Sequence, residues 1–155
     1  MQDEKYEPLR IEEKWQKIWD EQEKFKPVPS EKKFSIVIPP PNVTGSLHMG
    51  HALEHSIIDV LVRYMRLNGF ETLWVPGTDH AGIITQLLVE KELTNQGIDK
   101  GSLGRDKFID EVWKWKEASG ENISNQMKTL GMSCDWSMER FTMDEGLSEA
   151  VQHVF

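Results

Sequence analysis

Residues 34–51 read Phe34-Ser35-Ile36-Val37-Ile38-Pro39-Pro40-Pro41-Asn42-Val43-Thr44-Gly45-Ser46-Leu47-His48-Met49-Gly50-His51, and their order decides the fold. Phe34 to Ile38 is a compact β-prone run. The three prolines stop it, because proline supplies no ladder N–H and fixes φ. After the loop Asn42-Val43-Thr44-Gly45, Ser46 is the expected N-cap of a helix running to about Asn68, with Gly69 as its stop. Leu53, Ile57, Val60, Leu61, Tyr64 and Leu67 recur along it at three-and-four spacing and form the expected buried stripe. Glu71-Thr72-Leu73-Trp74-Val75 is the next strand, ended by Pro76-Gly77. Strand, loop, helix, strand is a βαβ crossover, which requires parallel pairing and a right-handed connection.

Outward from this unit the pattern is helical. Leu9, Ile11, Trp15, Ile18, Trp19 and Phe25 predict a helix over residues 9–25, and Pro27 and Pro29 mark a connector to Lys33. A helix is expected from Ala81 to Asn95, closing at Gly97. Beyond Gly104 two more are expected, one marked by Phe108, Ile109, Val112, Trp113 and Trp115, the other by Ile123, Met127 and Leu130 and ending at Gly131. The run Glu111–Lys116 reads as a solvated face, and Trp15, Trp19, Trp113, Trp115 and Trp136 as packing residues. Residues 145–155 look helical with no closing glycine, proline or polar tail, so the chain end is expected to be a cut inside an element. The expected division is an N-terminal helix and connector, 1–33, and a main unit, 34–155.

The 155 residues suit one domain, or one and a fragment of the next. A formal net charge of -8 makes the surface a poor general binder of nucleic acid, since such affinity comes largely from Lys and Arg displacing counterions. No apolar run approaches the roughly 20 residues that span a bilayer. The start MQDEKYEPLR is neither a secretory signal nor an Arg-rich transit peptide. Cys134 is the sole cysteine, which excludes an internal disulfide and a Cys-based zinc cluster. It reads as a small, partly buried residue, and the chain as a cytoplasmic one.

The chemistry-bearing stretch is His48-Met49-Gly50-His51. A helix start after a parallel strand presents unpaired N–H groups and partial positive charge, which suits phosphate. Two imidazoles at i and i+3 add donors there, and Gly50 leaves bare backbone over which an adenine base can lie. On its own the tetrapeptide is a weak signal, more readily read as two surface histidines. A metal site is disfavoured, because no third ligand is evident beside the pair. Asp79 lies just past the carboxyl end of the second strand, where open α/β sheets place ligands, and a carboxylate there can pair with an ammonium. It also fits the N-cap of the following helix.

The flanks sharpen this. The stretch from Pro39 to Leu53 resembles the nucleotide-binding motif of the class I aminoacyl-tRNA synthetases, in its valyl form. The likeness covers Leu73-Trp74-Val75-Pro76-Gly77-Thr78-Asp79-His80-Ala81-Gly82-Ile83, then Leu130-Gly131-Met132-Ser133-Cys134-Asp135-Trp136-Ser137, and Arg140-Phe141-Thr142-Met143-Asp144. Leucyl and isoleucyl relatives usually carry Gly-Trp-Asp where this chain has Gly77-Thr78-Asp79-His80. Ile84 stands where the family usually has alanine and is expected to tighten the wall near Asp79; Glu54-His55 is not the usual pairing.

The resemblance implies the first half of a Rossmann-like nucleotide-binding domain with flanking helices. It implies activation of valine with ATP to valyl-adenylate and transfer to tRNA(Val) by an intact, monomeric enzyme. His48 and His51 would be catalytic and serve the phosphates. Thr44 and Gly50 would also bind ATP, and Pro41, Asn42 and Asp79 would hold the amino acid. Mg²⁺ is expected with ATP, and no protein-bound metal. The family's second ATP motif, Lys-Met-Ser-Lys-Ser, does not occur here. Nor is there room for the inserted domain that hydrolyses threonyl product, which a hydrophobic pocket rejects by only about 10². The chain is therefore expected to be a fragment, incomplete in aminoacylation by itself. The alternatives are an isoleucyl- or leucyl-type synthetase, a free-standing nucleotidyltransferase, or a non-catalytic binding module.

Overall fold

The computed structural model describes residues 6–155; the first five residues of the expected 1–33 segment lie outside the described residues. Helix α1 spans Pro8–Glu21, with proline in the first turn, where a missing N–H costs nothing. It ends four residues before the expected boundary. Glu23 adopts a positive φ of 48°, and the chain turns back so that Phe25 packs 5.4 Å from the Trp19 ring. Strand β1 (Lys33–Val37) and strand β2 (Glu71–Val75) pair in parallel, with Phe34 opposite Thr72 and Ile36 opposite Trp74. Helix α2 (Met49–Leu67) is the crossover between them, as the periodicity predicts. Gly69, at φ 77°, takes the left-handed position that stops it.

Past Pro76 the strand direction continues into β3 (Gly77–Thr78), which pairs in parallel with β4 (Arg140–Phe141). Alternate carbonyls of 74–79 serve opposite neighbours. Those of Trp74, Pro76 and Thr78 accept from the N–H groups of Asp135, Arg140 and Thr142, while those of Val75 and Asp79 accept from Ile38 and Val43. The run is thus a middle strand, flanked on one side by β1 and its loop and on the other by residues 135–142. This is the parallel, Rossmann-like α/β arrangement, with helices α3 (Ile83–Asn95), α4 (Lys100–Leu103), α5 (Arg105–Thr129) and α6 (Glu145–Val154) around it.

Two apolar clusters hold these elements. The larger joins Ile38, Val62, Trp74, Ile123, Met127, Met132 and Cys134, so the sheet, α2 and the end of α5 share one core. The smaller is Val89, Leu93 and Phe108, between α3 and the start of α5. A polar clamp ties α2 to the loop after α5: Asp59 accepts from the N–H and hydroxyl of Ser133, and Arg66 donates to the Ser133 carbonyl at 2.7 Å. Among the described residues no helix is long and apolar enough to cross a membrane.

Four expectations need correction. The stripe Leu53, Ile57, Val60, Leu61, Tyr64 and Leu67 is exposed, by 38–87%. The face turned to the core carries His55 and Val62, fully buried, with Ile58 packed beside them. Because α2 is apolar on more than one side, three-and-four spacing alone does not say which side meets the sheet. The two helices expected beyond Gly104 are one 25-residue helix, α5, which runs through Gly120 at the usual cost of about 1 kcal/mol relative to alanine. Its Glu111–Lys116 run is not a solvated face, since Trp115 packs against the smaller cluster. Cys134 is wholly buried, and that burial pushes its thiol up, so it is an inert core residue at neutral pH.

Candidate active site

The N-cap of α2 is His48, two residues after the expected Ser46. The reason lies in the imidazoles. His48 Nδ1 accepts from the Gly50 N–H at 3.1 Å, and His51 Nδ1 accepts from the His48 N–H at 3.2 Å, a reciprocal capping box built of two histidines. Their rings stack with centroids 3.9 Å apart. An Nδ1 that accepts leaves the ring proton on Nε2, so both neutral rings are held as Nε2–H donors. Burial, followed by the neighbouring His48, lowers the His51 pKa from its ordinary 6.5, which favours this neutral form at pH 7. Behind them His55 lies 6.1 Å from His51, fully buried, with neither ring nitrogen hydrogen-bonded. Burial lowers its pKa too.

The loop leading into this turn is held by α5, a role the sequence reading does not foresee. Trp115 Nε1 donates to the Val43 carbonyl at 3.1 Å, Asn122 Nδ2 donates to the Gly45 carbonyl at 3.1 Å, and Gln126 Oε1 accepts from the Leu47 N–H at 2.8 Å. These three residues stand at i, i+7 and i+11, one face of a helix, and that spacing is the signal available in the sequence.

Pro41, Asn42 and Asp79 are brought together. Asn42 and Asp79 form a parallel bridge, in which the Asp79 N–H donates to the Pro41 carbonyl at 2.8 Å and the Asp79 carbonyl accepts from Val43 at 2.9 Å. Pro41 is buried, Asn42 exposed and Thr44 half-buried. Asp79 is not a helix cap: α3 has Gly82 at its N-cap, with no side-chain cap bond, and Asp79 Oδ1 instead accepts from Thr142 Oγ1 at 2.8 Å. The following turn is strained, with Ala81 at φ 53° before Gly82 at φ 47°. It is braced by Thr85 Oγ1, which donates to the His80 carbonyl at 2.8 Å. Ile84 is more than half exposed at the start of α3. Beside His80 opens a cavity of about 720 Å³ lined by Val43, Phe108, Trp113 and Phe141, with Lys116 over the Phe141 ring. No hydrogen bond joins the histidine pair to Asp79 among the described residues; the two groups occupy separate loops past the carboxyl ends of β1 and β2.

Known proteins resemble this chain in sequence and fold. The family model for class I tRNA synthetases (I, L, M and V) matches residues 14–155. A valine–tRNA ligase of Pelagibacter ubique is 61% identical over the whole chain, and one of Carboxydothermus hydrogenoformans is 58% identical over 97% of it. The chain spans only 18% and 17% of those two relatives. Among solved structures, a ternary complex of an Agrobacterium radiobacter LeuRS with tRNA and LeuAMS superposes with a TM-score of 0.74 at 25% identity, covering 97% of this chain and 18% of that one. Residues 14–155 carry the histidine-capped helix, the Asp79 loop and the α5 brace alike, and with them the chain belongs to the class I tRNA synthetases of the I, L, M and V group.

Proposed function

We propose that the protein containing this chain activates valine with ATP and transfers the valyl group to tRNA(Val), as an enzyme of the cytoplasm. The observation that carries this reading is the 57–61% identity to valine–tRNA ligases across at least 97% of the chain. Residues 34–155 then form the first half of the catalytic domain. Valine's carboxylate attacks the α-phosphate of ATP, the bond to the β-phosphate breaks, and pyrophosphate leaves. The contribution of these residues is positioning and charge stabilisation. His48 and His51, held as Nε2–H donors, bind phosphate oxygens at the start of α2. Gly50 exposes backbone to adenine, and Thr44 adjoins the nucleotide. Asp79 takes the α-ammonium, with Pro41 and Asn42 as the neighbouring wall. Mg²⁺ would accompany ATP as part of the substrate and would screen the charge of its phosphates.

The test is ATP–pyrophosphate exchange by the full-length protein. Exchange is expected to require valine and to fall about 10²- to 10³-fold in His48→Ala, the loss seen when one donor to developing charge is removed. Asp79→Ala is expected to abolish valine-dependent exchange at ordinary valine concentrations. Faster exchange with isoleucine or leucine would overturn the choice of amino acid.

A further inference from the structure

Thr142 Oγ1 makes three polar contacts: Asp79 Oδ1 at 2.8 Å, the backbone N of His80 at 3.0 Å, and His80 Nδ1 at 2.7 Å. A hydroxyl has one proton and two lone pairs. An ionised carboxylate only accepts, so the single hydroxyl proton lies on the bond to Asp79. The backbone N–H only donates, so it fills one lone pair. At the third contact the hydroxyl has only a lone pair left to offer, and the hydrogen there has to come from the imidazole. His80 Nδ1 also lies 3.4 Å from Asp79 Oδ1, a second oxygen drawing a proton to the same nitrogen. Thr142 is itself held in place, because its N–H donates to the Thr78 carbonyl at 3.1 Å in continuation of the β3–β4 pairing.

We propose that Thr142 is a positioning residue for the amine site: its hydroxyl orients the Asp79 carboxylate and fixes His80 as the Nδ1–H tautomer. The inference rests on the reading of Asp79 as the partner of the amino acid's ammonium. One carboxylate oxygen is committed to Thr142, and Oδ2 is left for the ammonium. In the neutral ring His80 Nε2 then carries a lone pair, the opposite of His48 and His51, whose Nε2 atoms carry the proton. The site thus holds imidazoles of both orientations, each set by what its Nδ1 touches. Loss of the Thr142 hydroxyl frees the carboxylate to rotate, leaves the His80 backbone N–H without its acceptor and leaves the ring N–H only the longer contact to Asp79, while the nucleotide turn at His48 is untouched.

The experiment is steady-state ATP–pyrophosphate exchange by the full-length protein, with the KM for amino acid and for ATP measured separately. Thr142→Val, which keeps the shape and removes the hydroxyl, is expected to raise the KM for valine about 10-fold or more, with the KM for ATP changed less than twofold. Thr142→Ser is expected to restore most of the loss. His80→Asn keeps a donor at the δ position and His80→Gln does not, so the rise in KM is expected to be at least fivefold smaller for Asn than for Gln. The proposal is overturned if Thr142→Val leaves the KM for valine within twofold, if both KM values rise together, or if His80→Gln matches or outperforms His80→Asn. Thermal melting and circular dichroism separate these outcomes from misfolding, and the Asn/Gln pair tests the tautomer even if Thr142→Val folds poorly. Should the wild type use another amino acid, the reading of the substrate fails, and the same variants measured with that amino acid still decide the role of Thr142.

Discussion

A β-carbon on Gly50 would stand 2.9 Å from His48 Cε1 and 3.0 Å from His48 Nδ1. The glycine therefore protects the imidazole that caps α2 before it exposes backbone to any base. Gly50→Ala is expected to leave α2 folded, since alanine is the better helix residue. It should displace the His48 ring and lower ATP–pyrophosphate exchange about 10²-fold, the usual penalty for misplacing a catalytic group by about 1 Å. Exchange kinetics beside an unchanged circular dichroism spectrum would check it; full activity would refute the requirement.

The pH dependence follows from His51. Its Nδ1 accepts from the His48 N–H, so only the neutral ring supports the capping box. Burial and then His48 lower its pKa below the ordinary 6.5 in the folded chain. A lowered folded pKa means that the unfolded chain binds the proton more readily, so stability falls as pH drops below 6.5 and the box opens as pH passes the lower, folded value. His55, lowered chiefly by its burial, adds to the loss in the same direction. The pH profile of kcat/KM for ATP is expected to be flat at pH 7 and above, with an acid limb whose midpoint lies below 6.5. A midpoint above 6.5 would contradict the geometry.

What was legible in the sequence and what was not divides along physical lines. The strand Phe34–Ile38, its proline stop, the helix to Gly69 and the second strand are local signals, and all four stand in the structure within about two residues. The histidine turn and the juxtaposition of Pro41, Asn42 and Asp79 follow from that βαβ unit. The direction of α2 toward the sheet is not a local property: with apolar residues on more than one face, the choice of Val62 and His55 over Leu53 and Ile57 depends on the neighbouring elements. The continuity of α5 through Gly120 is decided the same way, by burial of Phe108, Ile123 and Met127 along one helix. The contact of Thr142 with Asp79 escapes notice because the two are 63 residues apart, and only the parallel pairing of β3 with β4 brings them together.

That pairing has a vulnerable point at Gly77. A Cβ there would meet the Arg140 carbonyl oxygen at 2.5 Å, backbone against backbone, with no flexible side chain to yield. Gly77→Ala is expected to destabilise the fold by about 1–3 kcal/mol, the range for overpacking a tight interior. It should also push β4 outward and draw Thr142 from Asp79, so the KM for valine should rise along with a fall in Tm. A variant that melts normally and binds valine normally would show that β4 is free to move.

The α5 brace offers the last test, because its contacts reach the nucleotide loop from a helix with no chemistry of its own. Trp115→Phe keeps most of the ring in the smaller cluster and deletes the 3.1 Å bond to the Val43 carbonyl, while Gln126→Leu removes the acceptor for the Leu47 N–H. Each lost bond is expected to cost about 1 kcal/mol, more where a half-buried backbone group is left unpaired. The functional effects should differ by place. Val43 directly follows Asn42 in the bridge to Asp79, so Trp115→Phe should act mainly on the KM for valine. Leu47 precedes the histidine cap, so Gln126→Leu should act mainly on the KM for ATP and on kcat. The two residues lie eleven positions apart on one helix and touch different ends of one loop. The double variant should therefore show near-additive losses, and coupling above about 0.5 kcal/mol would mean that the loop moves as a single body.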